Sequence, residues 1–272
     1  MLTRCFLHLP GIGPAFTAKL SSAGICCWED ALGGELPCGA ERAGVLRAGV
    51  RESMARLAKG DALWFSRALA SAEQWRLYPH FRDAAAFVDI ETTGLAWPDA
   101  HITTIALYDG RSVRTYVQGE NLEDFADDIL AYNLLVTWNG RGFDAPFLRR
   151  ALRIPLEMAH LDLLPVYRAL GLRGGLKKVE AMLGLERDGL AGVDGWDAVR
   201  LWRAYERTDD RRVLETLLAY NVADVLSLEL LADYAVQRHK TGMREPPDAG
   251  LLRHDLNPFS PDRGVMRRVL GK

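Results

Sequence analysis

The chain has 272 residues, of which 49% are hydrophobic and 26% are charged. This balance predicts a globular protein of one large domain or two small ones, and it excludes a long disordered polar chain. No apolar run reaches the about 18 residues that a membrane helix needs. The first apolar stretch is also too short for a secretory signal, so we expect a cytoplasmic protein without a membrane partner.

Cysteine usage agrees with that location. The four cysteines lie near the N-terminus, at Cys5, Cys26, Cys27 and Cys38. They form no C-x-x-C pair and have only His8 as a nearby histidine, so a zinc site is not expected. A disulfide framework is not expected in a chain this long, which has a full core.

The formal charge of −2 is unevenly distributed. Residues 1–82 carry a charge of +3, residues 83–240 carry 18 Lys and Arg against 25 Asp and Glu for −7, and residues 241–272 carry +2. An acidic middle is either a solvated surface or a set of carboxylates that need cations. A basic flank can contact phosphates.

The first 82 residues predict a small all-α region. Helices are expected over residues 15–23, 28–32, 40–59 and 61–75, and a loop through Tyr78 and Pro79 follows. Pro14 suits the first turn of the first helix, and Gly24 suits its end. The apolar face of the 40–59 helix is expected to carry Val45, Val50, Met54 and Leu57.

A glycine turn precedes the first long helix. The segment Leu9-Pro10-Gly11-Ile12-Gly13 resembles a helix-hairpin-helix motif, and the unit would span about residues 1–35. Gly11 and Gly13 allow backbone N–H groups to approach a phosphate just before a helix N-terminus. Such a motif binds the DNA backbone without reading its sequence. The alternative is a plain structural turn.

Beyond residue 83 the pattern changes to apolar strands. Strands are expected over 85–90, 102–108, 113–117, 134–138 and 160–162, and helices over 122–131, over 145–152 and onwards to about 239. This order predicts an α/β fold over 83–240, a mixed sheet flanked by helices. Residues 241–272 contain several prolines and are expected to form an irregular tail.

Three segments place acids at the boundaries of these elements. Asp89 and Glu91 share one face at the end of an apolar strand, where a divalent cation is a natural counter-charge. Asp144 stands where a loop meets a helix. Tyr220 and Asp224 share the apolar side of a helix. Each has an ordinary alternative: a solvated strand end, a helix N-cap and a surface acid.

Together, the three segments resemble the DEDD exonucleases of the ribonuclease H-like superfamily, in their tyrosine subclass. The motifs are Asp89-Ile90-Glu91, Asn139 through Asp144, and Tyr220 through Asp224, in the order that this family shows. Further segments are similar to the YprB-type ribonuclease H-like proteins, a bacterial branch of the group. These segments are residues 75–78, 87–95, 160–163, 174–180 and 220–221.

The resemblance implies a metal-dependent 3′–5′ exonuclease that holds two divalent cations, Mg²⁺ or Mn²⁺. It implies that Asp89 bridges both ions, that Glu91 and Asp224 hold the ion on the nucleophile side, and that Asp144 holds the other. Tyr220 would orient the attacking water. Single-stranded DNA is the expected substrate. The alternatives are an RNA-trimming exonuclease and a non-catalytic module that binds nucleic acid. The oligomeric state stays open.

Three further sets of residues are candidates. Asn139 is expected to shape its turn or to contact the substrate. Lys177 and Lys178 open a helix after two glycines, where a phosphate could bind, or they are simply solvated. His160 and Asp162 are expected to brace the next helix, with a metal pair as the alternative.

Overall fold

The centre of the fold is a five-stranded mixed sheet in the order β3-β2-β1-β4-β5. Its strands are β1 (Ala85–Thr92), β2 (Ile102–Tyr108), β3 (Val113–Val117), β4 (Leu134–Thr137) and β5 (Ala159–Asp162). β1 pairs antiparallel with β2 and parallel with β4, and β4 pairs parallel with β5. The carboxyl ends of β1 and β4 therefore meet at one edge. The predicted mixed α/β sheet is confirmed.

Helices cover both faces of this sheet, and further helices form the N-terminal region of the chain. A computed structural model describes residues 1–96, 98–185, 187, 189–242 and 254–272. The N-terminal helices are α1 (Pro14–Ser22), α2 (Trp28–Gly33), α3 (Ala40–Ala58), α4 (Ala62–Ala68) and α5 (Tyr78–Phe81). The later ones are α6 (Phe125–Asp128), α7 (Asp144–Ala151), α8 (Leu163–Ala169), α9 (Leu176–Met182), α10 (Gly195–Thr208), α11 (Arg211–Thr241) and α12 (Arg263–Val265). None of the described helices is long and apolar enough to cross a membrane.

Two expectations about the N-terminal region are corrected. The buried positions of α3 are Ala43, Leu46, Val50 and Ser53. Val45 and Met54 are instead 62% and 38% exposed. In a helix, positions three and four apart share a face, so residue 45 cannot lie on the face of residues 43, 46 and 50. Residues 78–81 form a helical turn instead of a loop, because Pro79 stands in the first turn, where its missing N–H is not needed.

The core of the N-terminal region is continuous with one face of the sheet. Leu2, Phe6 and Trp28 are fully buried in the same cluster as Phe87 and Val136. The side chains of α11 complete this cluster, and those of α7 pack on the opposite face of the sheet. The first 35 residues are therefore part of the main core, and their deletion would expose it.

The C-terminal segment was expected to be an irregular tail. Residues 243–253 of that tail lie outside the described residues. The described part contains α12 and a helical turn over Met266–Leu270. Val265, Met266 and Leu270 are buried in one cluster with residues of α10 and α11. This part of the chain is therefore ordered by apolar packing, which proline content alone did not indicate.

Candidate active site

The structure brings three carboxylates together at the carboxyl end of β1. One oxygen from each of Asp89, Glu91 and Asp224 lies within 4.8 Å of the other two. Asp89 and Glu91 point to the same face of β1, because side chains alternate along a strand. That face is the one covered by α11, which carries Asp224. The predicted convergence of these three residues is therefore observed.

Asp144 is the fourth acid at this edge. It is the first residue of α7, and its Oδ1 accepts a hydrogen bond of 3.3 Å from the backbone N–H of Ile90. Ile90 lies between Asp89 and Glu91, so Asp144 borders the acidic cluster. The N-cap position of α7 belongs to Phe143, which makes no side-chain cap. The alternative in which Asp144 merely caps its own helix is therefore wrong.

The loop before α7 has a tightly constrained shape. A Cβ on Gly140 would lie 2.2 Å from Oγ1 of Thr137, so this position accepts only glycine. Asn139 has a positive φ of 62°, and its carbonyl oxygen accepts from the N–H groups of Gly142 and Phe143 at 3.0 and 3.1 Å. Asn139 thus shapes the turn that presents Asp144, and its contact with a substrate stays a prediction.

Asp162 at the end of β5 braces both the loop before α7 and the start of α8, and the contacts with the loop were not predicted. Asp162 accepts hydrogen bonds from the backbone N–H groups of Asn139, Arg141 and Leu164 at 2.8, 3.2 and 3.0 Å. His160 Nε2 lies 2.8 Å from the hydroxyl of Thr137. The bond to Leu164 caps α8, so Asp162 braces the next helix as predicted. The contact of His160 is with β4 and not with that helix.

Lys177 lies inside the site and not on a solvated helix end. Its ammonium group forms an ion pair with Asp224 and lies 4.4 Å from the ring centroid of Tyr220. Lys178 packs its aliphatic stem over Gly174, where an added Cβ would lie 2.7 Å from the Lys178 Cδ. The expected binding of phosphate by these two lysines stays a prediction.

Sequence reasoning missed two residues that contact the acids. The guanidinium group of Arg187 forms ion pairs with Asp224 and Glu180. Asn221 Nδ2 donates to Oδ2 of Asp89 at 2.7 Å. The number of acids in the motifs requires nearby cations and donors without saying which residues supply them. Asn221 also stands in the segment 220–221 that carries the family resemblance, but this gave it no role.

The pKa values of the acids reflect crowding of like charges in a buried site. Burial, followed by the charges of Asp224 and the other acids, raises the pKa values of Asp89 and Glu91 well above their ordinary range. Burial raises the pKa of Asp144 to about 7. At Asp224 burial opposes ionisation, but Arg187 and Lys177 outweigh it and hold the pKa below its ordinary value.

Tyr220 is buried with its ring against these cations. Its side chain is 3% exposed. Burial, and next the negative charges of Asp224 and Glu91, raise the pKa of Tyr220 far above its ordinary value. The hydroxyl is therefore a donor and not a base at neutral pH.

Beside the acids lies a partly apolar pocket of about 300 Å³. Its lining includes Glu91, Leu95, Phe143, Trp196 and Val199. The large side chains of Leu95 and Trp196 are 72% and 61% exposed. Two exposed apolar groups at the rim of an acidic site form a surface on which a flat ring can stack.

The two glycines of the predicted hairpin lie elsewhere. Gly11, with a φ of +73°, and Gly13 stand in an exposed loop before α1. A Cβ on either residue would meet no atom within 4 Å. The loop is therefore accessible, and its binding to nucleic acid stays a prediction.

The donor set fits divalent cations. Carboxylate oxygens are the ligands that Mg²⁺ and Mn²⁺ prefer, and crowded carboxylates with raised pKa values gain most from a nearby positive charge. The sheet is mixed, and its central strand ends in two carboxylates that lie opposite an acid from a long helix. This arrangement defines a ribonuclease H-like protein with a candidate metal site.

The comparison with protein families gives the same class. A family model described as RNase_H superfamily matches residues 86–236. The chain therefore belongs to the RNase H superfamily. Among solved structures, it is similar to the family B DNA polymerase from the hyperthermophilic archaeon Pyrobaculum calidifontis, with 19% identity and a TM-score of 0.39. That similarity covers 57% of this chain and 24% of the polymerase chain. No curated protein matches the sequence.

Proposed function

We propose that this chain is a metal-dependent 3′–5′ exonuclease that hydrolyses phosphodiester bonds of nucleic acid, with single-stranded DNA as its first substrate. The observation that carries this proposal is the convergence of Asp89, Glu91 and Asp224 within 4.8 Å in an RNase H-like fold. Tyr220 and Asp144 border the same cluster. The direction of digestion and the preference for DNA come from the resemblance to the tyrosine subclass of DEDD exonucleases.

In this proposal the acids would hold two ions, Mg²⁺ or Mn²⁺. Asp89, Glu91 and Asp224 would bind one ion, and Asp144 together with Asp89 would bind the other. The ions would supply charge stabilisation to the attacking and leaving oxygens. The protonated hydroxyl of Tyr220 would orient the attacking water, since its raised pKa prevents it from acting as a base. The pocket with Phe143 and Trp196 would receive the terminal base.

The ion pairs of Asp224 favour one alternative. Because Lys177 and Arg187 already neutralise Asp224, a site without bound ions could serve a non-catalytic module that binds nucleic acid. An RNA-trimming exonuclease of the same chemistry is the second alternative. The DNA exonuclease, the RNA exonuclease and the non-catalytic module share the fold. They differ in whether the polymer is cleaved and in which polymer it is.

The experiment is digestion of matched 5′-labelled DNA and RNA, as single strands and duplexes, with Mg²⁺, with Mn²⁺ and with EDTA. We expect a ladder that shortens from the 3′ end of single-stranded DNA, with no products in EDTA. Asp89→Asn should abolish the ladder. Asp83→Asn is the matched control, because Asp83 is exposed just before the opposite end of β1. Binding without products under every metal would identify a non-catalytic module.

We further propose that residues 1–82, including the helix-hairpin-helix-like loop, bind the nucleic-acid backbone beside the exonuclease domain of residues 83–240. We also propose that the chain belongs to the YprB-type branch of the superfamily. Gly13 offers a clean test because its φ of −102° is ordinary and the space around it is open. Gly13→Leu should weaken DNA binding and lower the log–log salt slope by roughly 0.7 per lost phosphate contact on a single strand. Gly39→Leu, before α3, is the control.

A further inference from the structure

The exposed face of α10 is cationic, although residues 83–240 carry a net charge of −7. Along this face lie Trp196, Arg200, Arg203 and Arg207, all of them exposed. Their spacing of four, three and four residues places them in one line on the helix. The opposite side of α10 is buried with residues of α11. The line therefore follows the helix axis for about 16 Å, at 1.5 Å per residue.

The arginines of this line border an open cleft of about 400 Å³. In the part of the chain that the structure describes, the charged residues that line the cleft are Arg200, Arg203, Arg207 and Arg268. Arg200 and Arg268 are held by carboxylates at 3.3 and 2.9 Å. Arg203 and Arg207 form no ion pair with any described residue. Two guanidinium groups are therefore left for an anionic ligand.

The line begins at the acidic site. Trp196 is 61% exposed and lines the same pocket as Glu91. Asp194 fixes the start of α10, because its side chain accepts from the N–H groups of Trp196 and Asp197 at 2.9 and 3.1 Å. The ring of Trp196 thus lies beside the carboxylates. The unpaired Arg203 and Arg207 follow along α10, each further from Trp196 than the last.

We propose that α10 is a track for the backbone of a single-stranded nucleic acid that leads away from the acidic cluster. Trp196 stacks on a base close to the site, and Arg203 and Arg207 bind phosphates further along the strand. This inference rests on the proposed nuclease function and names the route of its substrate. An aromatic ring combined with a cationic groove binds single strands largely without reading their sequence, so the track accepts DNA and RNA alike.

The test uses the full chain and fluorescein-labelled oligothymidylate and oligouridylate of about 20 nucleotides, longer than the about 4–16 nucleotides that one binding module covers. Binding is measured by anisotropy in EDTA, between about 0.05 and 0.2 M salt. The variants are Arg203→Gln with Arg207→Gln, and Trp196→Ala. Arg111→Gln is the control, because Arg111 is exposed in the turn between β2 and β3, which lies towards the amino end of β1 and away from the acids at its carboxyl end.

The double arginine variant should bind the long strands about 20-fold more weakly at 0.1 M salt, with a log–log salt slope shallower by about 1.4. Trp196→Ala should bind the long strands about 5-fold to 150-fold more weakly, the equivalent of one stacked base. The loss of the double arginine variant should be smaller for dinucleotides, which are too short to reach from the site to Arg203 and Arg207. Arg111→Gln should match the wild type.

Two results would overturn the inference in different ways. If the wild type binds and digests single strands but the α10 variants behave like Arg111→Gln, the track is wrong and the proposed nuclease function stands. If the wild type neither binds nor digests any strand, the proposed function fails together with the track. Melting curves of all variants should coincide, because the three α10 side chains are exposed.

Discussion

Asn221 donates a hydrogen bond of 2.7 Å from its Nδ2 to Oδ2 of Asp89, across 132 positions of the chain. The same amide nitrogen donates to the carbonyl oxygen of Asp89 at 3.2 Å. The hydroxyl of Thr104 in turn donates to Oδ1 of Asn221 at 3.0 Å. These bonds connect α11 with β1 and β2 at the acidic cluster. They make Asn221 a positioning residue, because its amide fixes the direction of the Asp89 carboxylate.

The first prediction concerns this amide. Asn221→Ala should lower kcat by about 10- to 100-fold, the usual effect of removing a group that orients a metal ligand. KM should change little, because Asn221 is fully buried and cannot contact the substrate. Thr104→Val, which removes a donor to Asn221 but not the bond to Asp89, should have a smaller effect. Steady-state kinetics on a labelled single strand measure both. A loss of kcat that is matched by a loss of folded protein in circular dichroism would argue for a purely structural role.

The second prediction concerns the Tyr220 hydroxyl. Tyr220→Phe keeps the ring and its contact with Lys177, so the melting temperature should stay within a few degrees of the wild type. If the hydroxyl orients the attacking water, the cleavage rate should fall by roughly 10²- to 10⁴-fold, as for one positioned proton-handling group. Single-turnover cleavage is the measurement. An unchanged rate would mean that Tyr220 only packs against its neighbours.

The third prediction compares two adjacent lysines. A divalent cation must compete with Lys177 for Asp224, because the ammonium group and the carboxylate are paired. Lys177→Met should therefore bind Mn²⁺ roughly tenfold more tightly, a factor that corresponds to about 1.4 kcal/mol. Lys178→Met should bind Mn²⁺ like the wild type, since no described carboxylate pairs with Lys178. Calorimetric titration of the proteins without nucleic acid gives both affinities, and weaker binding by Lys177→Met would contradict the competition.

The fourth prediction is a pH dependence of stability in EDTA. Burial raises the pKa of Asp144 from 3.8 to about 7, so the folded protein binds this proton more strongly than the unfolded chain. Stability from the protonated carboxyl is present below pH 3.8 and is lost as the pH rises towards about 7.

Asp144→Asn mimics the protonated carboxyl and can still accept the hydrogen bond from Ile90. The variant should match the wild type near pH 4 and melt higher near pH 8, by roughly 5 °C. Thermal melting at both pH values checks this. Excess Mg²⁺ should reverse the difference at pH 8, because the ion stabilises the ionised carboxylate of the wild type. A variant that melts lower at both pH values would show that Asp144 is ionised in the metal-free fold.

Local patterns were enough to predict most of the elements. The bounds of β2 and β3 agree with the structure, because the run of apolar and β-branched residues and the Asp109-Gly110 turn are properties of neighbouring residues. The convergence of the acids was predicted from the resemblance of the three motifs to the DEDD exonucleases, because Asp224 lies in the interior of α11 and not at an element end. The face of α3 was predicted less well, because Val45 and Met54 are apolar and yet lie outside the packed stripe.

The sequence by itself determined the mixed sheet, the order of its elements and the four acids, because each follows from side-chain periodicity or from a short motif. Only the tertiary structure decided which groups meet those acids. Lys177 pairs with Asp224 across 47 positions, and Asn221 reaches Asp89 across 132. Such contacts depend on how α11 crosses β1 and where α9 docks, and no local pattern encodes that geometry. Buried carboxylates of like charge need a cation nearby, because burying them unpaired costs free energy. Tertiary packing decides which residue supplies that cation.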